Sequence, residues 1–234
     1  MTWGRHHSAR TLKVSVLRDK ALPWGGEDAE IPALLTSTVT RYRAHMTHCL
    51  NQRVWLEQWQ VDDLPVLERS NTPDMTVFLG GPESDQQIVT RHTKFLHLWE
   101  TGEARMFRIR SSVSHEPVGS VGYWKKNWRD KDVYETGWSV HTAHQGQGIA
   151  ARALSECLHY AANNGDRDQV FAFPRTDNTA SNALCGRTGF TLEGEADFEY
   201  PKGHPIRVNE WMFDLGRFSA TRTAQQSGSP QAQP

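Results

Sequence analysis

The sequence lacks the features that define several large classes of protein. No apolar run approaches the roughly 18 residues of a membrane-spanning helix, and the first residues carry no signal-peptide hydrophobic segment. The three cysteines are too few and too widely spaced for a disulfide framework, and the formal net charge is only −1. We therefore expect a cytoplasmic protein without a nucleic-acid or membrane partner.

The composition is that of one globular domain with additional segments at both ends. Of the 234 residues, 37% are hydrophobic and 23% are charged, which is enough apolar content for a sizeable core. We expect a weakly patterned N-terminal extension over residues 1–51, a folded domain over 52–216 and a disordered tail over 217–234. Because Met46 lies just before the first convincing strand, translation could also start there. Nothing in the sequence indicates an oligomeric state.

Strand-like and helix-like segments alternate within residues 52–216 and favour an α+β fold with α/β/α layers. Helices are predicted over 62–69, 86–100, about 149–163 and in "NTASNALCGRTG". Strands are predicted over 53–59, 105–111, 117–126, 133–141 and 169–174, and in "FTLEGE" and "RVNEWMFDL". Two charged stretches are predicted to be connections: "WKKNWRDKD" (124–132) a charged hairpin loop, and "EADFEYPKGHP" (195–205) a loop between the last two strands.

The most informative stretch is "HTAHQGQGIAARALSECL", residues 141–158. A polar segment with two glycines, Gly146 and Gly148, changes here into a helical pattern with a broad apolar face. The free N–H groups of a first helical turn lie at the positive end of the helix dipole, and glycines let the backbone approach a ligand closely. The stretch therefore predicts a turn that binds a pyrophosphate.

Two kinds of cofactor carry such a pyrophosphate. Gly146-x-Gly148-x-x-Ala151 matches the dinucleotide fingerprint, in which alanine can take the third glycine position. That fingerprint normally opens its fold and follows its strand in a tight turn. Here residues 142–145 separate the strand from the glycines, and too few residues follow for the rest of a dinucleotide fold. These differences favour an acyl-CoA over a dinucleotide.

Two motifs resemble the GNAT superfamily of acyl-CoA N-acyltransferases. Gln145-Gly-Gln-Gly148-Ile-Ala150 matches the Q/R-x-x-G-x-G/A pyrophosphate motif of that family. "DNTASNALCGRTGF" is similar to its later asparagine segment, with Asn178, Ser181, Gly189 and Phe190 in place. "RVWLEQW", "MTVFLGGPESD" and "PVGSVGYW" resemble parts of the RimJ/RimL-like branch, which includes ribosomal-protein N-terminal acetyltransferases. The resemblance spans about residues 52–216.

The resemblance implies a fold and a cosubstrate. The fold is a mixed, mainly antiparallel sheet whose fourth and fifth strands splay apart to admit the pantetheine arm of acetyl-CoA. Backbone groups near Val140 and His141 would pair with this arm, and Asn178 and Ser181 would contact it from the next helix. Backbone N–H groups of the glycine turn would hold the pyrophosphate, namely those of Gln145, Gly146, Gln147, Gly148, Ile149 and Ala150.

The implied reaction is direct transfer of the acetyl group to a primary amine of a protein N-terminus or a small molecule. The attacking amine must be neutral, so a general base is required. Glu135, ten residues before Gln145, lies close to where many family members carry a base carboxylate. Strand alternation places it on the face of Gly137 and Ser139, unless a β-bulge shifts the register. The alternative is an ordinary strand carboxylate.

The general acid is where the sequence departs from the family. Many members have a tyrosine seven residues after the asparagine, and this chain has Cys185 there. Cys185 and Ser181 are candidates to protonate the departing thiolate, although a cysteine is also explained as a small buried hydrophobic residue. This departure keeps open a second function, a non-catalytic acyl-CoA-binding or -sensing module.

No metal site is predicted, because the histidines and cysteines have no second ligand pair at metal-site spacing. The sequence defines the acceptor cleft less well than the cosubstrate site. Trp99, Trp128 and Trp211 could line it, although an aromatic residue in a strand belongs by default to the core. The predicted loop over 195–205 adds further candidates for acceptor contact: Glu195, Asp197, Glu199 and Tyr200.

Overall fold

The computed structural model describes residues 53–112, 114–201 and 203–218. The predicted N-terminal extension over residues 1–51, including Met46, lies outside these residues. All of the predicted tail except residues 217 and 218 also lies outside them.

The described residues form seven strands and five α-helices. The strands are β1 (Val54–Gln58), β2 (Ala104–Ser111), β3 (Ser114–Trp128), β4 (Lys131–Val140), β5 (Gln169–Ala172), β6 (Thr191–Glu199) and β7 (Pro205–Asp214). The helices are α1 (Leu64–Ser70), α2 (Pro73–Thr76), α3 (Asp85–Thr101), α4 (Ile149–Asn164) and α5 (Thr179–Arg187). Short 3-10 turns cover Val61–Asp63 and Thr142–His144.

Local sequence signals explain where the long helices begin and end. Before α3, Ser84 and Gln87 form a capping box, in which each side chain accepts a hydrogen bond from the backbone N–H of the other. The helix ends at Gly102, whose φ of 76° is the left-handed conformation that favours glycine. Helix α4 begins after Gly148 and ends at Gly165, whose N–H donates to the Ala161 carbonyl.

The seven strands form one sheet in the order β1-β2-β3-β4-β5-β7-β6. The pair β4–β5 is parallel and the other neighbouring pairs are antiparallel. The β4–β5 register comprises Tyr134 with Val170 and Glu135 with Phe171. Beyond Glu135, β4 continues to Val140 without this pairing, so the two strands separate. The expected mixed, mainly antiparallel sheet with splayed fourth and fifth strands is confirmed.

Helices cover both faces of the sheet. Adjacent residues of β2 contribute to different hydrophobic clusters, Phe107 to the one under α4 and Met106 to the one under α1 and α3. Because adjacent strand residues point to opposite faces, the two clusters lie on opposite sides of the sheet. The layered α/β/α arrangement follows, with the sheet in the middle.

The hairpin predicted over residues 124–132 is present, but its loop is only two residues long, so the predicted extent of the loop was wrong. Strand β3 runs to Trp128 and β4 starts at Lys131, with Arg129 and Asp130 as a two-residue turn at φ 51° and 61°. Two-residue hairpin turns with positive φ normally contain glycine or asparagine, so the usual turn signal is missing here. The charged side chains of this stretch lie along paired strands, where Lys126 is mostly covered.

The predicted loop over residues 195–205 was also wrong for most of its length. Strand β6 continues to Glu199 and β7 begins at Pro205. The acidic residues that made the stretch look like a loop form cross-strand ion pairs, because Arg207 contacts Glu195 at 3.0 Å and Asp197 at 2.8 Å. The connection itself is limited to residues 200–204.

The core under α4 provides a stability test. Leu154 has 0% exposure, so Leu154→Ala should lower the free energy of unfolding by about 2–5 kcal/mol through lost burial and cavity formation. The matched control is Leu192→Ala, at a side chain that is 50% exposed, with an expected loss within about 0.5 kcal/mol. Urea unfolding followed by circular dichroism measures both, and equal losses would contradict the assigned core.

Candidate functional site

The gap between β4 and β5 exposes the edge of β4. The His141 N–H donates to the Val118 carbonyl of β3 at 2.9 Å. Peptide groups alternate between the two sides of a strand, so those of Trp138 and Val140 point away from β3, toward the gap. The Val140 carbonyl accepts a hydrogen bond from the Gln145 side-chain amide at 2.9 Å. An extended ligand could therefore pair with the remaining peptide groups of this edge.

The glycine turn stands at the end of the same strand. Gly146 and Gly148 have φ values of 72° and 73°, a region that other residues rarely adopt. A Cβ atom on Gly146 would meet no atom within 4 Å, so its backbone conformation and not crowding calls for glycine. The first-turn N–H groups of α4 have no acceptor within the helix, as at any helix start. The turn presents them beside open space, which suits an anionic ligand.

Arg152 adds a cation to this turn and was missed by the sequence reasoning. Its guanidinium donates to the Gln147 carbonyl at 3.3 Å, and a Cβ on Gly148 would lie 3.8 Å from it. The positive charge is thus one helical turn from the N-terminus of α4, where it strengthens the attraction for anions. The four-residue spacing between Gly148 and Arg152 was the available signal, because residues at i and i+4 share a helix face.

His141 holds the end of β4 to α1. Its side chain is buried, with 8% exposure, and its Nε2 lies 3.1 Å from the Val66 carbonyl. A carbonyl can only accept, so Nε2 carries the proton and donates it. Burial lowers the pKa of this imidazole and favours the neutral form. At His141 the side chain and the backbone N–H are therefore both used within the protein, by the carbonyls of Val66 and Val118, which leaves this N–H unavailable to the predicted pantetheine arm.

Glu135 lies where the gap opens, since it is the last residue of β4 that pairs with β5. The β3–β4 register runs without a shift, which confirms that Glu135 shares a face with Gly137 and Ser139. The carboxylate is 17% exposed and lies 2.7 Å from the Lys126 ammonium. The structure thus brings a carboxylate to the gap, as predicted, but with a cation already bound to it.

Lys126 itself lies among three aromatic rings, which we call the aromatic box: Trp128, Phe173 and Phe198. Its Nζ atom is 5.6, 5.2 and 4.6 Å, respectively, from the centroids of these rings. Ring contacts link Trp128 to Phe173 at 4.7 Å and Phe173 to Phe198 at 5.3 Å. Of these three rings, only Trp128 is predicted from the sequence as a possible cleft residue, because the other two come from distant segments.

Tyr200 is a predicted acceptor contact whose pKa is affected by the charge of Glu135. Partial burial raises the pKa of Tyr200, the charges of Glu83 and Glu135 raise it further, and Arg91 acts in the opposite direction. The next residue, Pro201, packs against Gly80, where an added Cβ would lie 2.6 Å from the proline ring. The connection 200–204 and the segment before α3 therefore meet near Glu135.

The other predicted acceptor contacts lie elsewhere or already have partners. Glu195 and Asp197 pair with Arg207 on the exposed face of the β6–β7 hairpin. Glu199 accepts a hydrogen bond from the Gly203 N–H, within the connection between these strands. Trp99 packs against Phe107 and Tyr160 in the core under α4.

Asn178 caps helix α5. Its side-chain oxygen accepts a hydrogen bond from the Ser181 N–H at 3.1 Å, so this oxygen is already used within the protein. Asn182, which the sequence reasoning did not select, donates to the Arg175 and Asn178 carbonyls and accepts from Asn209 and Trp211. Trp211 therefore fastens α5 to β7. The side chain of Ser181 is half-buried at the start of the helix.

Cys185 lies inside the core, with 0% exposure, in the same cluster as Leu184 and Phe190. Burial raises the pKa of its thiol to about 12. A group that is shielded from the gap and holds its proton this tightly is poorly suited to protonate a thiolate. The placement favours the alternative interpretation of Cys185 as a small buried hydrophobic residue, and we assign it no part in proton transfer.

Residues 53–112, 114–201 and 203–218 contain neither a metal-binding cluster nor a membrane-spanning helix. In these ranges no three His, Cys, Asp or Glu side chains are grouped so that they could hold a metal ion. In the same ranges no helix combines the length and the apolar character needed to cross a membrane.

Comparison with known sequences identifies the domain. A model of the acetyltransferase (GNAT) domain family matches residues 53–191. Ribosomal-protein-serine acetyltransferase of Escherichia coli (strain K12) is 32% identical over 112 residues, which are 48% of this chain and 60% of that protein. The alignment thus spans less than two thirds of that relative. The N-acetyltransferase YoaA of Bacillus subtilis (strain 168) is 25% identical over 128 residues, 54% of this chain and 72% of that protein.

Solved structures share the fold. An acetyltransferase from Salmonella typhimurium that modifies the N-terminal serine of ribosomal protein L7/L12 has a TM-score of 0.58 at 23% identity, covering 69% of this chain and 94% of its own. Spermidine N-acetyltransferase from Vibrio cholerae, in complex with CoA and spermine, has a TM-score of 0.59 at 16% identity, covering 71% and 98%. At these identities the similarity concerns the fold.

The capping role of Asn178 can be separated from a role in ligand binding. Asn178→Ala removes the hydrogen bond to the Ser181 N–H and should lower the free energy of unfolding by about 1 kcal/mol. Asn178→Asp keeps an oxygen acceptor at the cap and should retain most of that stability. Urea unfolding without any ligand measures both variants. Equal stability of Asn178→Ala and the original protein would show that the cap contributes nothing.

Proposed function

The chain belongs to the acetyltransferase (GNAT) family, and on this premise we propose that it transfers an acetyl group from acetyl-CoA to a primary amine. One observation carries the proposal: the gap between β4 and β5 has a carboxylate, Glu135, at its opening and a glycine turn at the far end of β4. This arrangement provides a binding edge, a proton acceptor and an anion site along one strand.

The residues of the turn and the strand edge fit the two parts of acetyl-CoA. Backbone N–H groups from Gln145 to Ala150 would hold the pyrophosphate, with Arg152 adding a positive charge beside them. The peptide groups of Trp138 and the N–H of Val140 would pair with the pantetheine arm along the gap, since the Val140 carbonyl already accepts from Gln145. Since Asn178 uses its oxygen as a helix cap, only its amide NH₂ group is available for the arm.

The chemistry that these residues support is direct attack of the amine on the thioester. Glu135 accepts the proton that the amine must lose, while the bond from nitrogen to the acetyl carbon forms. Backbone N–H groups at the edge of β4 stabilise the negative charge that develops on the thioester oxygen. The carbon–sulfur bond then breaks, and the CoA thiolate leaves and takes a proton from water. This route needs no proton from the buried thiol of Cys185.

The acceptor belongs to one of two classes, the N-terminal amine of a protein or a small-molecule amine. The Escherichia coli relative is a ribosomal-protein-serine acetyltransferase, which supports the first class. The Vibrio cholerae structure holds spermine, a small polyamine, which supports the second. A panel of serine- and alanine-starting peptides, polyamines and amino sugars, with release of free CoA as the readout, distinguishes the two classes.

The cosubstrate assignment predicts ligand-dependent stability. Acetyl-CoA at about 100 times its dissociation constant should stabilise the protein by about 2.7 kcal/mol and raise its melting temperature. Gly146→Val should weaken binding of acetyl-CoA at least about tenfold, because a side chain at this positive-φ position displaces the turn. Thermal unfolding and isothermal titration calorimetry measure the two effects.

The control for Gly146 is Gly81→Val. Gly81 has a φ of 95° and, like Gly146, would meet no atom within 4 Å if it carried a Cβ, so the two substitutions impose similar backbone strain. Gly81 lies outside the turn, and its variant should bind acetyl-CoA as the original protein does. If neither melting temperature nor calorimetry registers acetyl-CoA, the proposed function is wrong.

The base assignment predicts a loss of turnover without a loss of binding. Glu135→Gln should lower kcat at least about 100-fold and leave the dissociation constant of acetyl-CoA unchanged, since the amide cannot accept the amine proton. The control is Glu103→Gln, because Glu103 contacts Lys125 at 3.0 Å in a comparable ion pair away from the gap. Steady-state release of CoA measures both variants.

Two outcomes of these assays would change the conclusion. Unchanged turnover and pH profile in Glu135→Gln would show that Glu135 is not the base. Binding of acetyl-CoA without turnover of any amine in the panel would instead identify the chain as an acyl-CoA-binding module, the second function that the sequence leaves open.

A further inference from the structure

Lys126 places an amine beside the carboxylate that the proposed reaction needs. Its Nζ atom is 2.7 Å from Glu135, and Glu135 is the last residue of β4 that pairs with β5. The amine is therefore next to the opening of the gap, on the face of the sheet that carries Glu135. Its side chain is 21% exposed, so solvent reaches it only in part.

The rings of the aromatic box hold this amine in position. They come from three separate parts of the chain: Trp128 ends β3, Phe173 follows β5 and Phe198 lies near the end of β6. Together with Glu135 they restrict where the Lys126 side chain can go, since each ring centroid is within 5.6 Å of Nζ. A long flexible side chain is thus confined with its nitrogen at the proton acceptor, which lowers the entropic cost of reaction.

We propose that Lys126 is a self-acetylation site: the enzyme transfers an acetyl group from acetyl-CoA to its own Lys126 Nζ. The proposal rests on the proposed function, because it uses the same donor and the same base. The Lys126 ammonium gives one proton to Glu135, and the neutral amine attacks the thioester carbon. The new nitrogen–carbon bond forms as the amine loses a second proton, the carbon–sulfur bond breaks, and CoA leaves as its thiol.

The modification would change the charge of the site. An acetylated Lys126 is neutral and no longer forms an ion pair, so Glu135 loses the cation that now lies 2.7 Å away. The aromatic box then surrounds an amide in place of an ammonium and loses its cation–π interactions. Acetylation therefore alters the electrostatics beside the base without changing the glycine turn.

The experiment follows label into the folded protein. The full chain is incubated with ¹³C-labelled acetyl-CoA in the absence of other amines, and peptides are mapped by mass spectrometry over time. Label should accumulate at Lys126 at least about tenfold faster than at Lys125, and Glu135→Gln should slow the Lys126 reaction by a similar factor. Lys126→Arg keeps the positive charge, lacks the nucleophilic amine and should abolish the label at this position.

Lys125 is the matched control within the same strand. It precedes Lys126 directly, points to the opposite face, and forms a comparable ion pair with Glu103 at 3.0 Å. Heat-denatured protein at the same pH and acetyl-CoA concentration measures the chemical background, in which neither position is favoured. Intact-mass measurement at dilutions of the protein tests whether the transfer is intramolecular, since a rate independent of concentration is expected.

The outcomes separate this proposal from the proposed function. Acetyl-CoA binding and turnover of an external amine, with Lys126 labelled no faster than Lys125 or the denatured protein, would overturn self-acetylation alone. Equal labelling of Lys126 in the original protein and in Glu135→Gln would also overturn it. Failure of acetyl-CoA to bind would overturn both proposals.

Discussion

The separation of β4 from β5 after Glu135 is the constraint on which the rest of the site depends. The two strands are paired at two positions, Tyr134 with Val170 and Glu135 with Phe171. Beyond Glu135, β4 continues to Val140 without β5 beside it. A strand edge left open inside a sheet has peptide groups that need hydrogen-bond partners. An extended ligand that supplies those partners completes the sheet. The glycine turn follows directly, so the open edge and the proposed anion site are connected by the chain itself.

Several contacts keep β4 in place although it lacks β5 at this end. The His141 side chain donates to the Val66 carbonyl, and Ser139 donates to the Ser70 hydroxyl at 3.0 Å, so helix α1 supports the strand from one face. The Gln145 amide ties the turn back to Val140. These polar contacts are short-range and directional, and they fix the strand where its neighbour is absent. The end of β4 that borders the gap is thus held by contacts to α1 and to the turn.

The sequence predicted those parts of the molecule in which one local pattern determines the structure. Apolar periodicity located α3 and α4, and the two glycines with the downstream Asn178 segment located the turn and the cosubstrate class. It left the environment of a side chain open where distant segments decide it. Lys126 reads as part of a charged loop, yet rings from three segments cover it. Cys185 matches the acid position by spacing, but helix α5 turns the thiol into the core.

The ion pair between Lys126 and Glu135 sets the charge that an incoming amine meets. While Lys126 is an ammonium, a cationic acceptor approaches a carboxylate that already has a cation 2.7 Å away, and that cation repels the acceptor. With Lys126 neutral, the carboxylate has lost this cation and attracts the ammonium of an incoming acceptor. The charge of Glu135 also contributes to the raised pKa of Tyr200, after the larger effect of burial. If Glu135 is the base, as we propose, the charge state of Lys126 would affect both proton transfer and the binding of the amine substrate, because the two charged groups are 2.7 Å apart.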